Sequence, residues 1–221
     1  MHQDNEHSER EALVDPSVPR LARALARGVV PPDGVFDRCL PLDLHTASSQ
    51  FWTPLRVAVV VARWLDESGC KTVVDVGCGV GKLCIAAALA GKASFTGIEQ
   101  RTRLVEVARG LVETFRLEDR VRIVHDIFDT RSELLADAYY LYNPFGENVF
   151  PREYHLSDDA ELSPERYKRD IEATGALLKR APVGTRVITY NGFGGDFPPG
   201  YALERCADTL PNHLAMWKRI A

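Results

Sequence analysis

Apolar positions along the chain follow a helical period at first and then alternate between two patterns. Val18, Leu21, Ala22, Leu25, Ala26 and Val29 are spaced for one face of a helix, with Ser17 placed to cap it and Pro31-Pro32 to stop it. Residues 31–49, interrupted by Pro and Asp, read as irregular. Thr53-Pro54, a cap residue followed by the residue preorganised for a first helical position, opens LRVAVVVARWLDESG. Its valines would also suit a strand. The length, the Thr-Pro start and the Gly69 stop favour a buried helix.

From Lys71 onward strand and helix alternate strictly. KTVVDV reads as a strand and GKLCIAAALAG as a helix ended by Gly91. SFTGIE is a second strand, RTRLVEVARGLVETFRL a helix with Leu104, Val105, Ala108, Leu111, Val112 and Phe115 on one face, and VRIVH a third strand. A short helix from Arg131 to Leu135 precedes AYYLYN, the fourth. SPERYKRDIEATGALLKRAP has Ser163 as a cap, Pro164 in the first turn and a stripe of Tyr167, Ile171, Thr174 and Leu178. TRVITYNG follows as a fifth strand. YALERCADT and HLAMWKRI then break the rhythm as two strands joined at Leu210-Pro211-Asn212. The expectation is an α/β fold, a doubly wound parallel sheet that ends in an antiparallel hairpin and is preceded by a helical cap.

Composition narrows the setting. The chain has 221 residues, enough for one domain with a sizeable core, and 45% hydrophobic and 26% charged residues are ordinary for a globular protein. A net charge of −4 does not point to nucleic acid as the main partner. No apolar run is long enough to span a bilayer, and the polar start MHQDNEHSEREALVDP lacks the basic and apolar regions of a secretory signal. Five cysteines without CxxC spacing argue against a disulfide framework and a zinc site, and six histidines form no HExxH. A cytoplasmic protein without a metal is the expectation.

The chemistry concentrates at Val73–Lys82, VVDVGCGVGK. Glycines this dense after a strand let the backbone approach a ligand, and three ligands compete: a nucleoside triphosphate, a dinucleotide, or a nucleoside-like cofactor without phosphate. Lys82 is followed by Leu83 rather than a hydroxyl residue, which departs from the triphosphate-binding loop. The spacing G-x-G-x-G differs from the G-x-G-x-x-G of dinucleotide sites, and Asp75 at the strand end would repel a pyrophosphate. A carboxylate there suits a cation. S-adenosylmethionine offers an ammonium, its ribose diol suits Glu99 at the end of SFTGIE, and Asp126 after VRIVH can accept from the adenine amino group, with Ile127 or Phe128 beside the ring.

With these residues the chain resembles the class I S-adenosylmethionine-dependent methyltransferases, from about Thr53 to the end. Asp75-x-Gly77-x-Gly79-x-Gly81 matches their first motif, Glu99 their ribose-binding acid and Asp126 their adenine-side acid. The resemblance implies a Rossmann-like, seven-stranded, mostly parallel sheet and a cofactor site of Trp52, Thr53, Asp75, Gly77, Cys78, Gly79, Glu99, Gln100, Asp126, Ile127 and Asn143. Cys78 is expected as a small filler rather than a nucleophile.

The fourth strand ends in Asn143-Pro144-Phe145, where this fold reserves the place of the methyl acceptor. An Asn carbonyl and a proline carbonyl can aim an amine lone pair, and Phe145 can wall the site. The sequence resembles the Asn-Pro-Pro-aromatic motif of N-methyltransferases, one proline short. A second resemblance, through Gln50-Phe51-Trp52-Thr53-Pro54, the glycine motif and Asn143-Pro144-Phe145, is to the non-SET histone-lysine methyltransferase family and its bacterial relatives. Residues 1–52 are expected to form a tail and cap or lid, and residues 53–221 the cofactor-binding domain. The expected activity is methyl transfer to a nucleophile, nitrogen first: lysine or another amine, on a small molecule or a protein side chain. The alternatives are O-methylation of a small molecule, a non-catalytic S-adenosylmethionine-binding module and an NAD-dependent oxidoreductase.

Overall fold

A computed structural model describes residues 17–129, 135–156, 160–207 and 212–221. The chain opens with α1 (Ser17–Ala26), which buries Val18, Leu21 and Leu25. Each such burial is worth roughly 1.5–3 kcal/mol. Val29, expected on the same face, lies past the helix end and is 58% exposed. Residues 31–49 are not irregular. They form three short turns, α2 (Gly34–Asp37), a 3₁₀ turn at Leu42–Leu44 and the start of α3 (Ser48–Phe51). Turns of three or four residues are too short to leave a period in the sequence.

α4 (Leu55–Ser68) follows and ends at Gly69 in the left-handed conformation. Its start departs from the Thr53 cap predicted above. The Leu55 amide donates to Asp33 Oδ1 at 2.9 Å, while Thr53 Oγ1 lies 2.9 Å from the Tyr140 hydroxyl. A carboxylate from another segment thus supplies the cap.

The alternating region is β1 (Thr72–Val76), α5 (Lys82–Ala90), β2 (Ser94–Glu99), α6 (Thr102–Thr114), β3 (Val121–His125), β4 (Ala138–Leu141), α7 (Pro164–Arg180) and β5 (Arg186–Tyr190). The predicted Arg131 helix and the turn at Leu210-Pro211 lie outside the described residues, apart from Leu135, which lies in neither helix nor strand. β6 (Tyr201–Ala207) and β7 (Leu214–Arg219) complete a seven-stranded sheet ordered β3-β2-β1-β4-β5-β7-β6. β1 to β5 pair in parallel; β7 is antiparallel to β5 and to β6.

Successive strand residues serve opposite layers, as the two-residue period requires. Val73, Phe95, Tyr140 and Ile188 join a core with α1, α4, α5 and α6, which also contains Phe36 and Trp52. Val74, Val76, Ile98, Leu141 and Val187 join a second core with Ala173 and Leu177 of α7. Strand order reverses between β1 and β4, so the site expected of such a sheet lies beyond their carboxyl ends.

Lys82, the first residue of α5, is 1% exposed. Its ammonium lies 2.7 Å from Asp33 Oδ1, donates to Asp37 Oδ1 at 3.0 Å and donates to Ser48 Oγ at 2.9 Å. Two hydrogen bonds and one further ion pair thus hold the ammonium. Lys82→Ala should lower unfolding free energy in urea by about 3 kcal/mol, the lower end for a broken buried pair because Asp33 is partly open to water. A loss below about 1 kcal/mol would show that the pair does not hold α2 and α3 in place.

Candidate active site

The first strand-to-helix turn builds the floor of a cleft of about 260 Å³ beyond β1 and β4. The amides of Gly77 and Cys78 both donate to the Ile98 carbonyl at 2.9 Å, folding the turn over the end of β2. Gly79 has φ +55°, and a Cβ there would stand 2.7 Å from Trp52 Nε1. Only glycine lets the indole lie against this backbone. The Gly79 amide donates to Glu99 Oε2 at 3.0 Å, and the amides of Gln100 and Arg101 donate to Glu99 Oε1 at 2.9 and 3.0 Å. Three backbone donors fix the Glu99 carboxylate on the cleft wall and leave it acceptor capacity for a ligand.

The far wall comes from the segment after β4. Asn143 has φ +35°, a conformation Asn tolerates better than most residues. A Cβ on Gly146 would meet Asn143 Nδ2 at 2.3 Å, so Gly146 makes room for this side chain. Phe145 packs against Phe128, their rings 6.4 Å apart and inclined by 23°. The guanidinium of Arg101 donates to Glu147 Oε2 at 2.7 Å and lies 3.7 Å from Glu99 Oε1. Glu147 Oε1 accepts the Leu156 amide at 2.6 Å. These bonds tie the end of β2 to the loop that follows β4.

Of the residues singled out in the sequence, Trp52, Gly77, Gly79, Glu99, Gln100, Asp126, Asn143, Pro144 and Phe145 line this one cleft. Thr53, Asp75 and Cys78 do not. They line a side cavity of about 20 Å³ behind the turn, with Lys82 and Tyr140. The Asp75 carboxylate accepts from Cys84 Sγ at 3.3 Å, and burial pushes its pKa from 3.8 up to about 7. The buried Cys78 side chain faces Gly97, where a Cβ would come within 2.6 Å of its sulfur. Ile127 is 49% exposed, and the buried Phe128 takes the cleft-wall position instead. Strand-end registers predicted the acids, but not which of two adjacent apolar residues turns inward.

The sequence reading missed Arg101, Arg166 and Asp170, all buried on the cleft wall. Arg101 carried a signal, being a cation two residues after a strand-end acid. On α7 the stripe chosen from the sequence was Tyr167, Ile171, Thr174 and Leu178. Arg166 and Asp170 stand in line with the buried Ala173 and Leu177, and their charge hid that row.

Residues 67–144 match the model of a family described as a methyltransferase domain. That segment, which runs from the end of α4 past β4, is similar to a methyltransferase domain. The fold agrees. Magnesium protoporphyrin IX methyltransferase from Synechocystis PCC 6803, solved with bound S-adenosylmethionine, is 16% identical with a TM-score of 0.53, over 80% of this chain and 82% of that one. A Klebsiella pneumoniae protein whose O-methyltransferase label is provisional is 12% identical with a TM-score of 0.54, over 97% and 96%. Mitomycin 7-O-methyltransferase MmcR is 19% identical with a TM-score of 0.53, over 85% of this chain and 57% of that one. At these identities the likeness concerns the fold. No curated protein matches the sequence significantly.

Class I methyltransferases take their methyl group from S-adenosylmethionine, and the cleft of this chain fits that donor. The glycine turn leaves room that side chains would fill, and Glu99 is held with unused acceptor capacity. Asp126 is exposed beside Glu99, its amide bonded to the Glu99 carbonyl at 3.1 Å. Among the described residues no helix is long and apolar enough to cross a membrane, and no three His, Cys, Asp or Glu are grouped to hold a metal ion.

The buried Asp75 gives the protein a pH signature. Between about pH 4 and 7 the native carboxyl retains a proton that the unfolded chain has released, so each step up in pH across that window lowers stability. Asp75→Asn should flatten this slope, with its relative gain largest above pH 7. Urea midpoints at pH 5, 6, 7 and 8 measure it. Parallel curves for both proteins would place the Asp75 carboxyl at its ordinary value.

Proposed function

We propose that this methyltransferase moves the methyl group of S-adenosylmethionine to the nitrogen of an amine. The observation that carries this reading is the charge of the cleft. Among the described lining residues, Glu99, Asp126, Glu147 and Asp170 face only Arg101 and Arg166. An excess of carboxylates favours a cationic donor and an acceptor that arrives as an ammonium, and it opposes phosphates. At the end of β4, the polar side chain is by contrast neutral. Asn143 lines the cleft, and among the described residues nothing bonds to its side-chain amide.

S-adenosylmethionine supplies a methyl carbon activated by a sulfonium, so the protein's work is to hold, orient and exclude water. Glu99 holds the ribose hydroxyls, Asp126 accepts from the adenine amino group, and Phe128 flanks the ring. Trp52 closes the methionine end over Gly79. The Asn143 carbonyl accepts from the amine N–H and aims its lone pair. A carboxylate in that place would hold the amine as its unreactive ammonium. Residues 17–52 act as the cap, and residues 145–156 with Leu162 as the facing wall. The likeness to non-SET histone-lysine methyltransferases rests on sequence alone, so lysine is one amine among several in this reading.

Two variants separate donor from acceptor. Glu99→Ala should weaken S-adenosylhomocysteine binding by about 1.5–3 kcal/mol in titration calorimetry, the range for bonds to a charged group. Asn143→Gly, chosen because alanine would be strained at positive φ, should leave that affinity unchanged and lower methyl transfer to an amine by roughly 10²-fold, the scale of lost positioning. Labelled S-adenosylmethionine offered with matched amines and phenols reads the second effect. Transfer to phenols but not amines would replace nitrogen by oxygen as the acceptor.

A further inference from the structure

Arg166 and Asp170 stand one turn apart on α7, and the relative exposure of the two residues is 9% and 5%. Arg166 Nε donates to Asp170 Oδ1 at 2.8 Å. Among the described residues no other bond reaches either side chain, so four guanidinium N–H groups and Asp170 Oδ2 have no protein partner. Both residues line the cleft on the wall that also carries Asn143 and Phe145.

This is a poor design for a purely structural ion pair. A buried Arg–carboxylate pair gains most from a bidentate fork with every donor and acceptor satisfied. Here one bond is made, and desolvation pushes the Asp170 pKa up despite the adjacent guanidinium. Nearby polar groups do not complete the pair. Asn148 Nδ2 donates to the Phe145 carbonyl, and Asn148 Oδ1 accepts the Ser163 amide. The unused groups put donors beside an acceptor in a cleft whose lining also includes Phe145, Phe150, Leu156 and Leu162.

Resting on the reading of this cleft as an acceptor site, we propose that Arg166 and Asp170 recognise the non-reacting part of the acceptor, a neutral planar group that presents a hydrogen-bond donor beside an acceptor, as a carboxamide or lactam does. Asp170 Oδ2 takes the ligand N–H and the Arg166 guanidinium donates to its carbonyl. A ligand carboxylate would satisfy Arg166 but face Asp170. An ammonium would do the reverse. The neutral edge alone satisfies both without leaving an unbalanced buried charge.

Three probes sharing a phenyl ring test this: benzamide, benzoate and benzylamine, titrated by ligand-observed NMR into the full chain saturated with S-adenosylhomocysteine. Benzamide should bind at least tenfold tighter than either charged probe. Arg166→Lys and Asp170→Asn should each weaken it about tenfold and erase the preference, with S-adenosylhomocysteine affinity kept. Arg169→Ala, which removes an α7 side chain from an exposed pair with Glu161 in the preceding loop, should leave all three affinities unchanged. Benzoate binding tightest would make this an anion site and overturn the inference, and benzylamine binding tightest would overturn it in favour of an amine anchor. Failure of every probe to bind while S-adenosylhomocysteine binds would overturn the inference and leave the methyl-donor reading standing. Failure of S-adenosylhomocysteine itself would remove that reading and the inference with it.

Discussion

Lys82 carries a positive charge into the interior at the point where the glycine turn becomes α5. A cation at a helix N-terminus opposes the helix dipole, and a buried ammonium needs all its donors met. Asp37 and Ser48 accept from it, and Asp33 pairs with it. Because those three residues belong to the segment before the sheet, one charge ties the cap to the turn that forms the floor of the cleft. Asp33 serves twice, since it also caps α4. Trp52 follows directly from this arrangement: it lies between α3 and α4, and its indole comes down on Gly79.

The cleft then depends on backbone more than on side chains. Glu99 is oriented by three amides, one from the glycine turn and two from the turn after β2. Arg101 extends that anchor to Glu147 and so to the loop beyond β4. The wall at the end of β2 and the wall after β4 are thereby linked across the switch point of the sheet. A methyl transfer that relies on positioning requires such a link.

Much of this was legible in the sequence. Strand and helix alternation, the Gly69 stop, the Ser163 cap and the antiparallel ending are local or periodic features, and Asp75, Glu99 and Asp126 announced themselves as strand-end acids. The rest depends on contacts distant in sequence. Asp75 lies at the end of β1 as expected, but its side chain points into the layer behind the turn, with Cys84 and Tyr140, because strand parity sends it there. Within residues 31–49, Asp33, Asp37 and Ser48 meet on Lys82. Arg166 and Asp170 were hidden because charged residues on a helix ordinarily mark its solvent face. Here the row facing inward is charged only where it meets the cleft.

The central claim is that the cleft between Trp52, Glu99 and Asn143 holds the methyl donor. A crystal structure of the chain with S-adenosylhomocysteine tests it most directly. The account predicts the ribose hydroxyls within hydrogen-bonding distance of Glu99, the adenine against Phe128 with its amino group toward Asp126, and the sulfur facing Asn143. A ligand seated elsewhere, or in this cleft with its adenine at Asn143, would contradict it.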